Sequence, residues 1–182
     1  MSDTREEILN LAEDLIRTKG YNAFSYRDIS VPLNIKNAAI HYHFNSKADL
    51  GKAIINRTRQ NLVKESNLWK DLSPVEQLNK FISIYEKSLL RNQICFMGAL
   101  GPSYETLPEQ MQTELTLASE EIRAYLRNVL QRGLDNGSFN FTETVSEKAD
   151  MIIASLLSSL ILTRVTKENI FLQIRNTILK GV

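Results

Sequence analysis

The sequence predicts an all-α protein, and three observations lead to that prediction. Apolar residues recur at helical spacing through the 182 residues, as Ile8, Leu11, Ala12 and Leu15 do near the start. Only seven glycines and four prolines interrupt these segments, which favours long helices over a turn-rich β architecture. Helix-start signals recur along the chain, and no stretch shows a convincing strand alternation.

The first two helices are predicted close to the N-terminus. Thr4 opens a capping-box motif and Gly20 suits the left-handed position after a last turn, which places the first helix at about 4–19. Ser25 opens a second motif of the same kind. Pro32 ends this short second helix, because proline has no backbone N–H to donate.

A tight turn and a third helix follow. Asn34 tolerates the positive φ that such a turn needs, although glycine would adopt it more easily. The third helix is predicted over about 37–44, and we expect it to pack through Ala39, Ile40 and Phe44. The opposite face would then carry Asn37, Ala38, His41 and Tyr42.

That outward face is small and polar enough to enter the major groove of B-DNA. The groove is about 12 Å wide and admits one helix, provided that nothing bulky holds the backbone away. Ala38 permits this approach, while Asn37 and His41 offer groups that hydrogen-bond base edges. Tyr42, and Lys47 in the first turn of the next helix, are placed to bind phosphates, which position a protein without reading sequence.

Further helices complete the chain. Ser46 caps a long fourth helix that reaches about Trp69, and Ser73 followed by Pro74 and Glu76 gives a strong start to the fifth. The fifth and later helices are expected at about 74–90, 94–104, 108–136, 144–165 and 168–180.

Composition limits the classes of protein that are possible. The formal net charge is +1, so nucleic-acid affinity must come from a local patch. Six basic residues face two acidic ones over 47–70, although such a bias more often marks a solvated helix face. Cys95 is the only cysteine, so no intrachain disulfide or cysteine-based zinc site forms. The N-terminus shows no signal peptide, and the uncharged run Met151–Thr163 is shorter than the roughly 20 residues that span a bilayer. We therefore expect a cytoplasmic protein without a membrane partner.

No enzyme signature is recognisable. The sequence carries no Ser/His/Asp grouping, phosphate loop or dinucleotide fingerprint, so neither an enzyme nor a cofactor is expected. His41 and His43 point about 200° apart on a helix, whereas paired helical metal ligands use four-residue spacing, so no metal site is expected. Two alternatives stay open: one histidine is half-buried and merely hydrogen-bonded, or Tyr42 belongs to the core.

The second part of the chain offers a ligand cavity and an interface. Its aromatic and methionine residues either line a cavity for an apolar effector or simply fill the core, and no charged pocket floor is evident. The last two helices are both broadly apolar, which predicts a four-helix interface between two copies of the chain. The interface stripe comprises Ile152, Ser155, Ser159 and Leu162, with Ala154 and Ser158 adjacent, and Ile170, Phe171, Ile174, Ile178 and Leu179 on the last helix. The candidate cavity residues are Phe81, Tyr85, Phe96, Met97, Tyr104, Met111, Tyr125 and Met151.

Several short motifs occur together in the first quarter of the chain. They are the Ile-Leu…Ala start of the first helix, Lys19-Gly20-Tyr21, Arg27-Asp28-Ile29, and the run from Ala38 to Phe44 followed by Ser46-Lys47. The segment Ile8–Leu50 that carries them resembles the DNA-binding domain of the tetracycline-repressor (TetR) family of transcriptional regulators. Three departures are Pro32 within the second helix, Asn34 at the usual turn glycine, and Lys36 at a position where serine or threonine caps are common. With Lys36 there, either Lys36 or Asn37 is the N-cap of the third helix.

The resemblance implies a fold and a function. The fold is a three-helix helix-turn-helix domain at 1–50, joined by a long helix to a helical effector-binding and dimerisation domain at 51–182. The function is a homodimeric, sequence-specific regulator of an operator, most simply a repressor released by a small molecule. The alternatives are an activator, or a small-molecule-binding protein or enzyme with a silent DNA-binding domain. The implied DNA contacts are Ser25, Tyr26, Arg27, Lys36, Asn37, Ala38, His41, Tyr42, His43 and Lys47.

Overall fold

The computed structural model describes residues 4–182, and that range is helical without a strand. The all-α prediction is confirmed. The helices are α1 (Thr4–Lys19), α2 (Arg27–Ser30), α3 (Asn37–His43), α4 (Lys47–Trp69), α5 (Pro74–Leu90), α6 (Phe96–Leu100), α7 (Glu109–Asp135), α8 (Val145–Thr166) and α9 (Ile170–Lys180). Two 3-10 turns, Tyr21–Ala23 and Gly101–Thr106, complete the described secondary structure.

Side-chain caps explain the starts of several helices. The Oγ of Ser46 accepts from the Asp49 amide at 3.1 Å, which confirms the predicted cap of α4. Reciprocal capping boxes begin α5 at Ser73 and α8 at Thr144. The predicted positive φ at Asn34 is also confirmed, at 52°.

Three helices differ from their predicted extents. The helix expected at 94–104 is α6 followed by a 3-10 turn, because Pro102 has no N–H to continue α6. The last helix begins at Ile170 rather than 168, because Asn169 is its N-cap and accepts from the Leu172 amide at 3.1 Å. The helix expected from Ser25 begins at Arg27.

Two hydrophobic cores share α7. The first joins α1, α3 and the start of α4 to α6 and the first half of α7, where Met111 packs against Gly51. The second joins α5, the second half of α7, α8 and α9. The first core therefore continues across the expected boundary at residue 50, and the division into 1–50 and 51–182 stays a prediction.

Ion pairs fix α4 to both of its neighbours. Arg57 binds Glu13 of α1 at 2.6 Å, and Arg59 binds Glu114 of α7 at 2.6 Å. Arg59 also makes two hydrogen bonds to Glu121, which raise the pKa of its guanidinium. Much of the basic bias over 47–70 therefore holds helices together rather than forming a DNA-facing patch.

Helix α8 carries apolar residues on every side. By length and composition, α8 as a whole is long and apolar enough to cross a membrane. Its longest uncharged run, Met151–Thr163, is too short to do so. Its inner side packs on α7 and α9 through Ile152, Leu156 and Leu160. The outer side leaves a stripe exposed, which we call the α8 outer stripe: Met151, Ala154, Ser158, Leu162 and Val165. Ile152 and Ser159, which were predicted for the interface, are buried in the protomer, as are Phe171 and Ile178 of α9. The side of α8 that is left exposed therefore differs from the side that was predicted for the interface.

Gly133 is a position where a side chain does not fit. A Cβ atom there would lie 1.9 Å from Cδ2 of Phe139, and the Phe139 amide donates to the Gly133 carbonyl at 3.0 Å. We expect Gly133→Ala to lower the free energy of unfolding by about 1–3 kcal/mol, because the buried ring must move while its backbone stays tied. Urea denaturation measures this change.

Gly101→Ala is the matched control, because no atom lies within 4 Å of its Cβ position and its φ is −55°. Alanine favours helix over glycine by about 1 kcal/mol in a helix interior, so the control should be neutral or slightly stabilising. Equal stability of the two variants would contradict the close packing at Gly133.

Candidate nucleic-acid interface and effector cavity

Helix α3 presents two chemically different faces. Ile40 and Phe44 are 0% and 4% exposed and anchor the helix on α1, whereas Tyr42 on the other side is 85% exposed. The core alternative for Tyr42 is therefore wrong. Asn37, Ala38 and His41 are exposed beside it. We call these four residues, Asn37, Ala38, His41 and Tyr42, the α3 ridge.

The start of α3 leaves the Asn37 side chain available. The N-cap residue is Lys36, in an extended conformation and without a side-chain capping bond. Because Asn37 is the first helical residue, its amide is not consumed as the cap. The alternative start, in which Asn37 would itself be the N-cap, is wrong.

Tyr26 lies behind the α3 ridge. Its ring meets that of His41 edge-on, with centroids 4.9 Å apart. Its hydroxyl is buried and has no hydrogen-bond partner among the described residues, and burial raises the pKa of Tyr26. Ser25 and Arg27 beside it are exposed. The Tyr26 ring therefore supports the His41 ring from behind. Ser25 and Arg27 lie at the surface, where the Ser25 hydroxyl donates to Asp28 Oδ2 at 2.8 Å.

His43 is half-buried and packs against its neighbours. Its ring centroid lies 5.1 Å from that of Tyr42 and 6.5 Å from that of Phe44. Across residues 4–182, no group of three His, Cys, Asp or Glu side chains is placed to hold a metal ion.

Lys47 points into the protein. Its ammonium donates to the Phe24 carbonyl at 2.5 Å and lies over the rings of Tyr21 and Phe24, 4.7 and 4.2 Å from their centroids. Burial lowers the pKa of Lys47. This arrangement ties the start of α4 to the connection between α1 and α2. The ammonium therefore stabilises from inside the unit formed by α1, α2, α3 and the first turn of α4, which we call the reading unit.

A cavity of about 330 Å³ lies between α1, α4, α5, α7, the start of α6 and the segment before it. Four of the eight predicted effector residues line it: Phe81, Tyr85, Phe96 and Met97. The other four do not. Tyr104 is on the 3-10 turn and bonds Thr116, Met111 fills the first core, Tyr125 packs in the second core, and Met151 lies on the α8 outer stripe.

The cavity also has charged walls, which the sequence does not indicate. Arg17 of α1 lines it and donates to Glu13, to Ser88 Oγ and to the Ile94 carbonyl. Arg59 and Arg91 are further members of the lining. Arg17 could not be found from local sequence, because its partners Ser88 and Ile94 lie 71 and 77 positions away along the chain.

Comparisons with known proteins agree with this architecture. Residues 8–54 match the family model described as bacterial regulatory proteins, tetR family. A TetR-family transcriptional regulator from Agrobacterium tumefaciens has 30% sequence identity and a TM-score of 0.92, with 98% of this chain and 97% of that one covered. A TetR regulator from Legionella pneumophila has 32% identity and a TM-score of 0.88, covering 100% and 98%.

The chain belongs to the TetR family of transcriptional regulators. An uncharacterized HTH-type transcriptional regulator of Lactococcus lactis subsp. lactis is 25% identical over 174 residues, which are 92% of this chain and 87% of that protein. The predicted family and fold class are thereby confirmed, and α2, the turn at Asn34 and α3 form the helix-turn-helix of this TetR-family regulator.

The inward ammonium of Lys47 leads to a stability prediction for this TetR-family chain. We expect Lys47→Met to lower the free energy of unfolding by about 1–2 kcal/mol, because a charged hydrogen bond and two cation–π contacts are lost at a partly exposed site. Thermal and urea denaturation measure the change. Lys64→Met is the control, because Lys64 lies exposed on the same helix. Full stability of Lys47→Met, with a smaller salt dependence of DNA binding, would instead favour a phosphate contact.

Proposed function

We propose that this TetR-family protein is a homodimeric, sequence-specific DNA-binding regulator. The observation that carries the proposal is the α3 ridge, which stands free of the core on a helix anchored by Ile40 and Phe44. Its small first-turn residue Ala38 lets the helix backbone approach base edges, and Asn37 and His41 supply groups to read them. Tyr42 on the ridge, together with Ser25, Arg27 and Lys36 around it, would supply phosphate or groove contacts.

The homodimer would form through α8 and α9. The α8 outer stripe is apolar or small at every position, and Leu172 of α9 is exposed as well. Small residues such as Ala154 and Ser158 let two helices approach closely, while Leu162 and Val165 supply apolar area. A two-fold arrangement would present two α3 ridges to successive major grooves, with half-sites about 34–36 Å apart or at a longer spacing set by the dimer.

The regulator would act as a repressor that a small molecule releases. The cavity touches α1 of the reading unit through Arg17 and α4 through Arg59, so an occupant would bear on both helices. A coupling of 1–3 kcal/mol, a factor of roughly 5–150 in affinity, suffices for such a switch. The proposed activity is therefore DNA binding under effector control in the cytoplasm, without catalysis.

Selection of bound sites from a random DNA pool tests this function. We expect an enriched sequence with two-fold symmetry, bound with a steep dependence on salt concentration. Absence of any sequence-selective, salt-sensitive binding would contradict the proposal and favour a ligand-binding protein whose helix-turn-helix is silent.

A further inference from the structure

We propose that the cavity binds an uncharged, largely apolar molecule whose hydroxyl or N–H group donates to Gln93. The inference rests on the effector role proposed above and names the chemical class of the effector. It follows from three properties of the cavity: a largely apolar surface, partly buried charged groups that already have partners, and one buried acceptor that has none.

Most of the surface area of the cavity is apolar, although six of its lining residues are charged. Phe81, Tyr85 and Ile84 contribute from α5, and Phe96 and Met97 from α6. The volume of about 330 Å³ lies at the small end of the range for ligand pockets. A single substituted ring or a short branched chain therefore fits this space better than a large polycyclic molecule.

Opposite charges compensate one another along the walls. Arg17 binds Glu13 at 3.2 Å, and Arg59 binds Glu114 and Glu121 on α7. The more exposed Lys87 faces Glu65 at 3.8 Å. An ionised ligand would lose its hydration in the cavity without gaining a free buried counter-charge.

Arg91 is the exception among the charged lining residues, and it lies exposed to solvent. An ion pair formed there would be screened by water and contribute little. The charge pattern consequently favours a neutral occupant over an anion.

Gln93 supplies the unmatched polar group. It is only 9% exposed and lines the cavity, and its Oε1 has no hydrogen-bond partner among the described residues. Its Nε2 donates to Asp14 Oδ1 at 2.9 Å, which fixes the orientation of the amide, because a flipped amide would turn its oxygen towards the carboxylate. That oxygen is almost wholly covered by its neighbours. A buried acceptor without a partner is costly, so a ligand donor that displaces this cover and bonds Oε1 gains affinity.

The same segment is attached to the reading unit. Gln93 bonds Asp14, and the Ile94 amide donates to the Arg17 carbonyl at 3.0 Å, so both contacts hold the second half of α1. A ligand that donates to Gln93 therefore contacts a residue bonded to α1, and α3 packs on α1.

Three matched probes test the inference by calorimetry on the full-length protein without DNA at pH 7. They are 4-butylphenol, which is neutral and has a donor, 4-butylanisole, which is neutral and has none, and 4-butylbenzoate, which is anionic. We expect the phenol to bind on the order of fivefold more tightly than the anisole, as one net hydrogen bond allows, and the benzoate to bind most weakly. In Gln93→Met the preference for the phenol over the anisole should disappear.

Gln131→Met is the control, because Gln131 is an exposed α7 residue outside the cavity lining. A preference that persists in Gln93→Met overturns the role of Gln93. Tightest binding by the benzoate, or no binding of any probe up to its solubility limit, overturns the uncharged class, and this arm needs only the unsubstituted protein. Because no DNA is present, failure here leaves the proposed DNA-reading function intact, and failure of site selection leaves this result intact.

Discussion

Replacing Ala38 with glutamate is expected to weaken binding to cognate DNA at least about 100-fold, a loss of about 2.7 kcal/mol. Ala38 is exposed on the α3 ridge in the first turn of the helix. A longer side chain there holds the helix away from the groove floor, and its carboxylate faces the phosphate backbone with a like charge. The measurement is a gel-shift titration on the selected operator.

The substitution is designed to spare the fold. Ala38 packs against no core residue, and a carboxylate in the first turn of a helix interacts favourably with the helix dipole. Thermal unfolding of the variant should therefore match that of the parent protein.

Ala124→Glu provides the matched control for Ala38→Glu. It makes the same change of charge and volume at an exposed position of α7, outside the reading unit. We expect its DNA affinity to stay within about twofold of the parent. Retained affinity in Ala38→Glu would show that α3 does not enter the groove, and equal losses in both variants would indicate a general effect of net charge.

The α3 ridge could be predicted from sequence because local rules determine it. Ile40 and Phe44 lie at helical spacing, so their burial fixes which residues face outward. The caps at Ser46 and Ser73 were predictable for the same reason, since each involves residues three positions apart.

Contacts between distant segments could not be predicted in this way. The sequence places Lys47 close to the predicted DNA-binding surface. In the structure its ammonium turns inward, where it contacts the Phe24 carbonyl and two aromatic rings. Arg17 looks like an ordinary helix-end charge until the fold places Ser88 beside it. In both cases the partner lies on another element, and the direction of a long side chain depends on that partner.

The phase of α8 was ambiguous for a different reason. Over Met151–Thr163 its residues are apolar or small around the whole helix, so the sequence does not distinguish the side that packs within the protomer from the side that remains free. Ser159 illustrates this. It was predicted for the interface but lies buried, and its hydroxyl donates to the Leu156 carbonyl at 2.7 Å. Only packing against α7 and α9 identifies the α8 outer stripe.

The α8 outer stripe makes a second strong prediction. Ala154→Arg should raise the dissociation constant of the proposed dimer at least about 100-fold, because a large cation replaces a small residue where two helices approach and leaves a buried charge without a partner. Under two-fold symmetry the added charge also enters the interface twice. Sedimentation velocity over a range of protein concentrations measures the shift.

The consequence of Ala154→Arg should extend to DNA. A monomer contacts one half-site only, so affinity for the symmetric operator should fall with dissociation while affinity for a half-site stays the same. Ala124→Arg makes the same change at an exposed position of α7 and should leave both measurements unchanged. Because Ala154 is exposed in the protomer, the monomeric variant should stay folded by circular dichroism. If Ala154→Arg sediments as the parent protein does, the dimer interface lies elsewhere. If the variant is monomeric yet binds the full operator with parental affinity, a single copy reads the whole site.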